Sequence, residues 1–239
     1  MSAAERRAAA RTAVVWDDLA EVLADAGDVV DIGGGTGGFA VPVAERGLRV
    51  TVVDPSPDAL AALARRAAEA GVADRVVGRQ GDIADLAGMV GGGSVDLVLC
   101  HGVLDVLADP VEALSRIYDV LRPGGALSLI VAQRHAAVVA RAMAGHFGQA
   151  LALLDGDEPD PGRGVRRRFT ADEVVGLLGD AGFTPGQPRG VRVFADLVPG
   201  SLLDLEAGST QALIDLETAV ARRPEFLPLA TQVHVVATR

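Results

Sequence analysis

The chain has 239 residues, 49% of them hydrophobic, and a formal net charge of −10 at pH 7; that is enough for one substantial core and argues against indiscriminate attraction to nucleic-acid phosphates. No apolar run approaches the roughly 20 residues that span a bilayer. Met1 is followed by Ser2, Ala3, Ala4, Glu5 and Arg6 and not by a basic stub and an apolar stretch, so no secretory signal is expected and the cytoplasm is the expected compartment.

Cys100 is the single cysteine, which excludes an internal disulfide and a metal site built on several thiolates. His101, His135, His146 and His234 lack the close paired spacing of a helical zinc site, so no metal is expected. In chain order, residues 3–26 place Val14, Val15, Leu19, Val22 and Leu23 at helical spacing before Gly27, which predicts a lead-in helix. Strands are expected over 29–32, 49–53, 75–78, 95–99 and 126–132, with helices over 38–46, 57–70 and 111–121 between them. Such alternation implies parallel pairing, right-handed crossovers and helices on both faces. Beyond the fifth strand come a helix over 136–154, a polar, proline-rich loop, and a helix over 171–181 closed by Gly182. The loop contains or precedes a basic run, Arg163, Arg166, Arg167 and Arg168. Strands over 191–197 and 232–238, with a helix over 210–221 between them, bring the total to seven. The expected fold class is α/β, a doubly wound sheet in one domain over 1–239, with 1–27 the lead-in helix and 135–182 a substrate-side insertion or lid. Periodicity does not fix the strand order.

The stretch Val29-Val30-Asp31-Ile32-Gly33-Gly34-Gly35-Thr36-Gly37-Gly38 sets a glycine run between a buried strand and a helix, where open α/β sheets bind ligands. Glycine lets the chain turn sharply there and lets a ligand lie against the backbone. The spelling is ambiguous: Gly33, Gly35 and Gly38 fit the G-x-G-x-x-G of dinucleotide enzymes, while Asp31, Gly33, Gly35 and Gly37 fit D-x-G-x-G-x-G. Asp54 closes the second strand, in position to accept both hydroxyls of an adenosine ribose, which suits either cofactor. Asp82, in Gly81-Asp82-Ile83, follows the third strand, where its carboxylate can accept an adenine amino group while Ile83 packs on the ring. Dinucleotide enzymes do not usually show that second acid. Leu121-Arg122-Pro123-Gly124-Gly125 stops a helix and opens the fifth strand through a tight turn. Together these features, over 29–132, resemble the class I S-adenosylmethionine-dependent methyltransferases. The resemblance implies S-adenosyl-L-methionine as cofactor, S-adenosyl-L-homocysteine as product, and a Rossmann-like sheet, mostly parallel, whose last strand is antiparallel.

A closer likeness lies in Val98-Leu99-Cys100-His101-Gly102-Val103-Leu104-Asp105-Val106-Leu107-Ala108-Asp109-Pro110. It resembles the bacterial enzymes that methylate the carboxylate of 5-carboxymethoxyuridine at the tRNA wobble position, which carry F-H-A-V-L-E-W-V-A-D-P there. The likeness continues in Gly190-Val191-Arg192-Val193-Phe194-Ala195-Asp196, in Leu216-Glu217-Thr218, in the closing Val233 to Arg239, and in Arg11 followed by Val14, Val15, Trp16 and Leu19. It implies that Arg11 pairs with the donor's carboxylate, that Gly33 and Gly34 line its methionine portion with Gly35 in the same turn, that Asp54 holds the ribose, that Asp82 and Ile83 hold the adenine, and that His101 lies near the reacting end. Relative to that family the chain is expected to lack an N-terminal extension, Asp105 and Val106 replace a Glu-Trp pair that offers an aromatic for stacking, and arginines stand where its basic loop is lysine-rich.

Methyl transfer from a sulfonium is an in-line displacement, and a carboxylate nucleophile needs no general base. If the acceptor is a hydroxyl or amine, His101 is the first candidate base; alternatively it packs against the donor or satisfies a backbone group. Arg189 or Arg192 is the candidate for binding a uridine carboxylate, and Arg163 to Arg168 for touching RNA. The expected partner is tRNA or a small-molecule acceptor, with no membrane. A small-molecule O- or N-methyltransferase and a non-catalytic nucleoside-binding regulatory module are the competing readings.

Overall fold

The computed structural model describes residues 3–154, 166–204 and 208–239. The lead-in helix α1 (Ala3–Asp25) buries Val14, Val15, Leu19 and Leu23 on one face. The chain then alternates β1 (Asp28–Ile32), α2 (Ala40–Glu45), β2 (Arg49–Asp54), α3 (Pro57–Glu69), β3 (Val76–Gln80), α4 (Leu86–Val90), β4 (Val95–His101), α5 (Pro110–Val120) and β5 (Leu121–Ala132). Local chemistry sets the helix starts. Ser56 accepts from the Ala59 amide at 3.2 Å ahead of Pro57, and Asp109 accepts from both the Val111 and Glu112 amides at 3.0 Å ahead of Pro110. Downstream follow α6 (Arg134–Met143), α7 (Phe147–Leu154), α8 (Ala171–Asp180), β6 (Thr184–Pro185), β7 (Arg189–Val191), α9 (Ser209–Ala221) and β8 (Gln232–Thr238). A reciprocal Thr170–Glu173 capping box opens α8.

The sheet order is β3-β2-β1-β4-β5-β8-β6, with β7 also pairing β8. Strands β1 to β5 are parallel, and β8 runs antiparallel to β5, so this is the doubly wound, mostly parallel sheet with an antiparallel last strand. Chain direction across the sheet reverses between β1 and β4, which opens a crevice at their carboxyl ends. One apolar layer packs α4, α5 and α8 through Leu86, Leu114, Ile117, Val174 and Leu178; the other packs α1, α2 and α3 through Leu19, Val43 and Leu63. Among the described residues no helix is long and apolar enough to cross a membrane.

Several boundaries differ from the periodicity. The expected strand over 191–197 is instead β7, which ends at Val191, because Arg192 turns the chain at φ 63°. Its partner segment β6 occupies the same sheet position: Pro185 faces Ala237 and Arg189 faces His234, so three residues oppose two, a bulge that splits the sixth strand. The single helix expected over 136–154 is two, α6 and α7, separated at Gly145 with φ 79°. The short α4 was not expected, and β3 and β4 extend beyond their apolar cores to Gln80 and His101, which carries their polar ends to the crevice. The loop from Asp155 to Gly164, with Arg163, lies outside the described residues.

Candidate active site

The turn after β1 is built around backbone held without side chains. Gly33, Gly35 and Gly37 adopt φ of 65°, 55° and 81°, the left-handed region that glycine tolerates. The Gly33 amide donates to the Val53 carbonyl at 2.7 Å, and the Gly35 amide donates to Asp54 Oδ2 at 2.9 Å, while Asp54 Oδ1 accepts from the Ser56 amide at 2.8 Å. Asp54 thus locks the end of β2 to the glycine turn, and each of its oxygens retains a lone pair for a hydroxyl. A Cβ on Gly33 would lie 2.5 Å from Val103 Cγ2, and one on Gly34 would lie 2.4 Å from Asp31 Oδ2. Asp31 is buried beneath the turn; its pKa is pushed up to about 7 by desolvation and then by the neighbouring Asp54, against a hydrogen bond from the Ala40 amide.

The same edge carries the second acid. The Gly81 amide donates to the Asp54 carbonyl at 3.3 Å, and Asp82 Oδ1 accepts from the Ala84 amide at 2.7 Å, opening a 3-10 turn over Ile83–Asp85. Asp82 is exposed while Ile83 is half-buried against the core. The structure therefore brings Gly33, Gly34, Gly35, Asp54, Asp82 and Ile83 to the carboxyl ends of β1, β2 and β3.

Next to this edge lies a cavity of about 470 Å³ lined by Arg11, Phe39, His101, Ile130, Arg192 and Gln232, among others. Arg11 projects from the face of α1 that also presents Ala8, Thr12 and Val15 to the cavity. Its Nη2 stands 2.9 Å from Asp196 Oδ1, and Arg192 Nη2 stands 2.5 Å from Asp196 Oδ2, so one internal carboxylate holds two guanidiniums. Arg192 Nε is buried without a hydrogen-bond partner among the described residues. Arg192 is the one non-glycine residue with positive φ among the described residues, a conformation that the surroundings must impose. Glu217, wholly buried on α9, imposes it by accepting from the amides of Val193, Phe194 and Ala195 at 3.0, 2.8 and 2.6 Å. His101 ends β4, with Phe39 edge-on to its ring at 4.6 Å and Trp16 stacked on Phe39 at 4.9 Å. Burial and the nearby His234 hold the His101 pKa well below its ordinary value.

Arg189 does not join this group. It lines a separate cavity with Asp17, Asp18, Glu21 and Arg222, and its Nε lies 3.4 Å from Asp18 Oδ1. Asp105 is buried, accepting from the Ala132 amide at 3.0 Å, and Val106 is exposed. Sequence reasoning missed Phe39, Asp196 and Gln232 as cavity residues. It quoted Glu217 without a role. A Glu in the middle of an otherwise apolar helical face, Leu213, Glu217, Val220, was the available signal.

The arrangement suits an adenosyl ligand bearing a free amino acid. The turn leaves no space for a Cβ at Gly33, Gly34 or Gly37, two acids stand at successive strand ends, and a buried histidine nitrogen, His101 Nδ1, has no partner among the described residues. A family model described as a methyltransferase domain matches residues 30–127. The chain is 34% identical over 236 residues to the tRNA 5-carboxymethoxyuridine methyltransferase of Escherichia coli strain K12, covering 96% of this chain and 88% of that one. Among solved structures it matches an S-adenosylmethionine-dependent methyltransferase from Mesorhizobium loti with a TM-score of 0.60 at 20% identity, covering 95% and 98% of the two chains. The [4+2]-cyclase SpnF matches with a TM-score of 0.61 at 19% identity, covering 95% and 80%. These two structures bear on the fold alone. Fold, domain match and whole-length relative define an S-adenosylmethionine-dependent methyltransferase. The chain belongs to the family of the tRNA 5-carboxymethoxyuridine methyltransferase.

Proposed function

We propose that the chain methylates the carboxylate of a modified uridine at the wobble position of tRNA, a role that places its work in the cytoplasm. The observation that carries this reading is the Arg11–Asp196–Arg192 cluster, in which a cavity beside the glycine turn is already organised around a carboxylate. Guanidinium forks match carboxylates in geometry and charge.

S-adenosyl-L-methionine supplies an electrophilic methyl on a sulfonium. Asp54 accepts the ribose hydroxyls, Asp82 and Ile83 engage the adenine, and Gly33, Gly34 and Gly35 let the donor lie against the backbone. Arg11 takes the donor's carboxylate and Arg192 the acceptor's, displacing Asp196. Arg189, committed to Asp18 on another cavity, is the weaker candidate for that second task. A carboxylate is already the nucleophile, so the protein's part is to align it with the methyl carbon. Of the expected insertion over 135–182, residues 155–165 lie outside the described residues and α8 packs into the core layer; α6 and α7, which follow the carboxyl end of β5 at the edge that carries the site, serve as its lid. Arg166, exposed at the start of the segment before α8, meets the RNA backbone, offsetting locally a net charge that repels phosphates at long range.

The exposed Val106, in place of a stacking aromatic, favours a second reading, a small-molecule O- or N-methyltransferase. One assay separates them: labelled donor is incubated with tRNA carrying unmethylated 5-carboxymethoxyuridine. Label in the tRNA is the expected result. Donor binding without transfer to tRNA, together with transfer to a small metabolite, overturns it; donor binding with no transfer to any acceptor indicates the regulatory module.

A further inference from the structure

Ser128 on β5 and His234 on β8 are wholly buried, and neither takes part in the scheme above. Both share a sheet face with His101, because His101 and His234 each pair with Ile130 and Ser128 precedes Ile130 by two residues. Their polar atoms form a continuous line. Asp18 Oδ2 lies 3.0 Å from His234 Nδ1, His234 Nε2 lies 2.9 Å from Ser128 Oγ, and Ser128 Oγ lies 2.8 Å from His101 Nε2. At the inner end, His101 lines the cavity, with Nδ1 buried and unpartnered among the described residues.

The hydrogens along this line are constrained. A carboxylate only accepts, so His234 Nδ1 carries a hydrogen. With His234 neutral, its bare Nε2 receives the Ser128 O–H, Ser128 Oγ accepts His101 Nε2–H, and His101 Nδ1 is left bare. A proton added at His101 Nδ1 has one route onward. His101 Nε2–H passes to Ser128 Oγ while the Ser128 O–H passes to His234 Nε2. His101 ends neutral with its hydrogen on Nδ1, and the positive charge rests on His234 against the Asp18 carboxylate.

We infer that Asp18, His234 and Ser128 are positioning residues that fix His101 in its Nε2–H form, so that it offers the cavity a bare Nδ1 to an N–H or O–H of the bound ligand and passes on any proton it receives. The relay goes beyond the choice of methyl acceptor and holds whichever acceptor is correct. Keeping charge off His101 matters because a sulfonium and an imidazolium in one site repel each other. Other charges face the line from each element packed on it. Arg189 of β7 touches Asp18 on the outer side, where Asp17 and Glu21 of α1 and Arg222 after α9 line the same cavity. On the inner side, Arg11 and Arg192 are bridged by Asp196. Arg189 opposes charge on His234 and Asp18 favours it.

The test is ¹⁵N NMR of the imidazole rings on the full chain without ligand, compared with Ser128→Ala and Asp18→Asn. In the native protein at neutral pH, His101 Nδ1 is expected to be pyridine-like and Nε2 pyrrole-like. A proton taken up by the line is expected to make the two signals exchange character. Ser128→Ala cuts the line but leaves the His234–Asp18 bond, so both His101 nitrogens move to averaged shifts and the exchange disappears. Asp18→Asn keeps an acceptor for His234 Nδ1 but removes the negative charge that faces a proton passed to that ring, so the exchange is expected to weaken. Weakened acceptor binding, a KM raised about tenfold with kcat little changed, accompanies Ser128→Ala as the loss of one well-placed hydrogen bond. A His101 that carries its hydrogen on Nδ1 at neutral pH, or that becomes an imidazolium while His234 stays neutral, overturns the relay. So do His101 shifts unchanged in Ser128→Ala. None of the NMR outcomes depends on the tRNA reading.

Discussion

Asp31 and Gly34 stand so close that the carboxylate of one occupies the place where a side chain on the other would begin, 2.4 Å from an ideal Cβ. The contact couples the buried acid at the end of β1 to the turn that receives the donor. Gly34→Ala must push either the turn or Asp31 aside. Overpacking of this kind costs about 1–3 kcal/mol, and the displaced turn falls where the donor lies. Donor affinity by calorimetry is expected to drop more than tenfold with a smaller loss of melting temperature; unchanged affinity would show that the donor does not lie against Gly34.

The proton on Asp31 sets a pH dependence with a defined sign. Its folded pKa of about 7 lies above the ordinary 3.8, so between those values the folded protein retains a proton that the unfolded chain has released. The stability this contributes is full below the unfolded value and is lost as pH rises through the folded one. It amounts to about 4 kcal/mol if the whole shift is realised. Chemical denaturation from pH 5 to pH 8 is expected to show falling stability, with a flatter profile for Asp31→Asn. A cation bound near the turn favours the ionised form, so donor binding near pH 7 is expected to release protons, measurable as a dependence of binding heat on buffer ionisation.

Asp54 serves the turn and the ligand together. Asp54→Ala removes the acceptor for the Gly35 and Ser56 amides as well as for a ribose, whereas Asp54→Asn keeps one carbonyl acceptor. Donor affinity is expected to fall steeply in the first variant and partly in the second, and equal affinity in native protein and Asp54→Ala would remove the ribose assignment.

Glu217 holds the loop that carries Arg192. Replacing it with Ala strands three amides, Val193, Phe194 and Ala195, at a cost of roughly 3 kcal/mol, a fall of about 6–12 °C in melting temperature for a chain of this size. Glu217→Gln retains one acceptor oxygen and loses less. If Arg192 grips the methyl acceptor, acceptor KM rises in both variants in the same order while donor affinity stays near native. A parallel loss of donor affinity would place the loop on the donor instead.

Arg192 itself is tested by Arg192→Lys, which preserves charge but not the planar fork. Acceptor KM is expected to rise at least tenfold with donor affinity retained. Full activity of the lysine variant would mean that no carboxylate is bound there in the paired geometry.

Chain-local features were legible in the residues themselves. The alternation of apolar runs with amphipathic stretches announced the parallel sheet, because strands buried on both faces must be mostly apolar, as 29–32 and 95–99 are apart from Asp31 and Asp96. The glycine turn and the acids at Asp54 and Asp82 were readable because each follows its strand directly, so that sequence position fixes spatial position. Arg11 was visible only through resemblance, and Glu217 had as its one local mark a place on an otherwise apolar helical face, since nothing near either in the chain states its partners.

Tertiary structure alone decided what lies far apart in sequence. Arg11 and Arg192 meet at Asp196 because α1 and the segment after β7 pack on the same side of the sheet, and residues 181 positions apart leave no periodic trace of that meeting. The break of the sixth strand at 186–188 is set by register against β8, and the turn at Arg192 by amides that Glu217 holds from another helix. The line from Asp18 to His101 draws on α1, β4, β5 and β8. Backbone propensity and hydrophobic pattern specify elements, but the direction of a buried polar side chain is fixed only when every neighbour that must satisfy it has arrived.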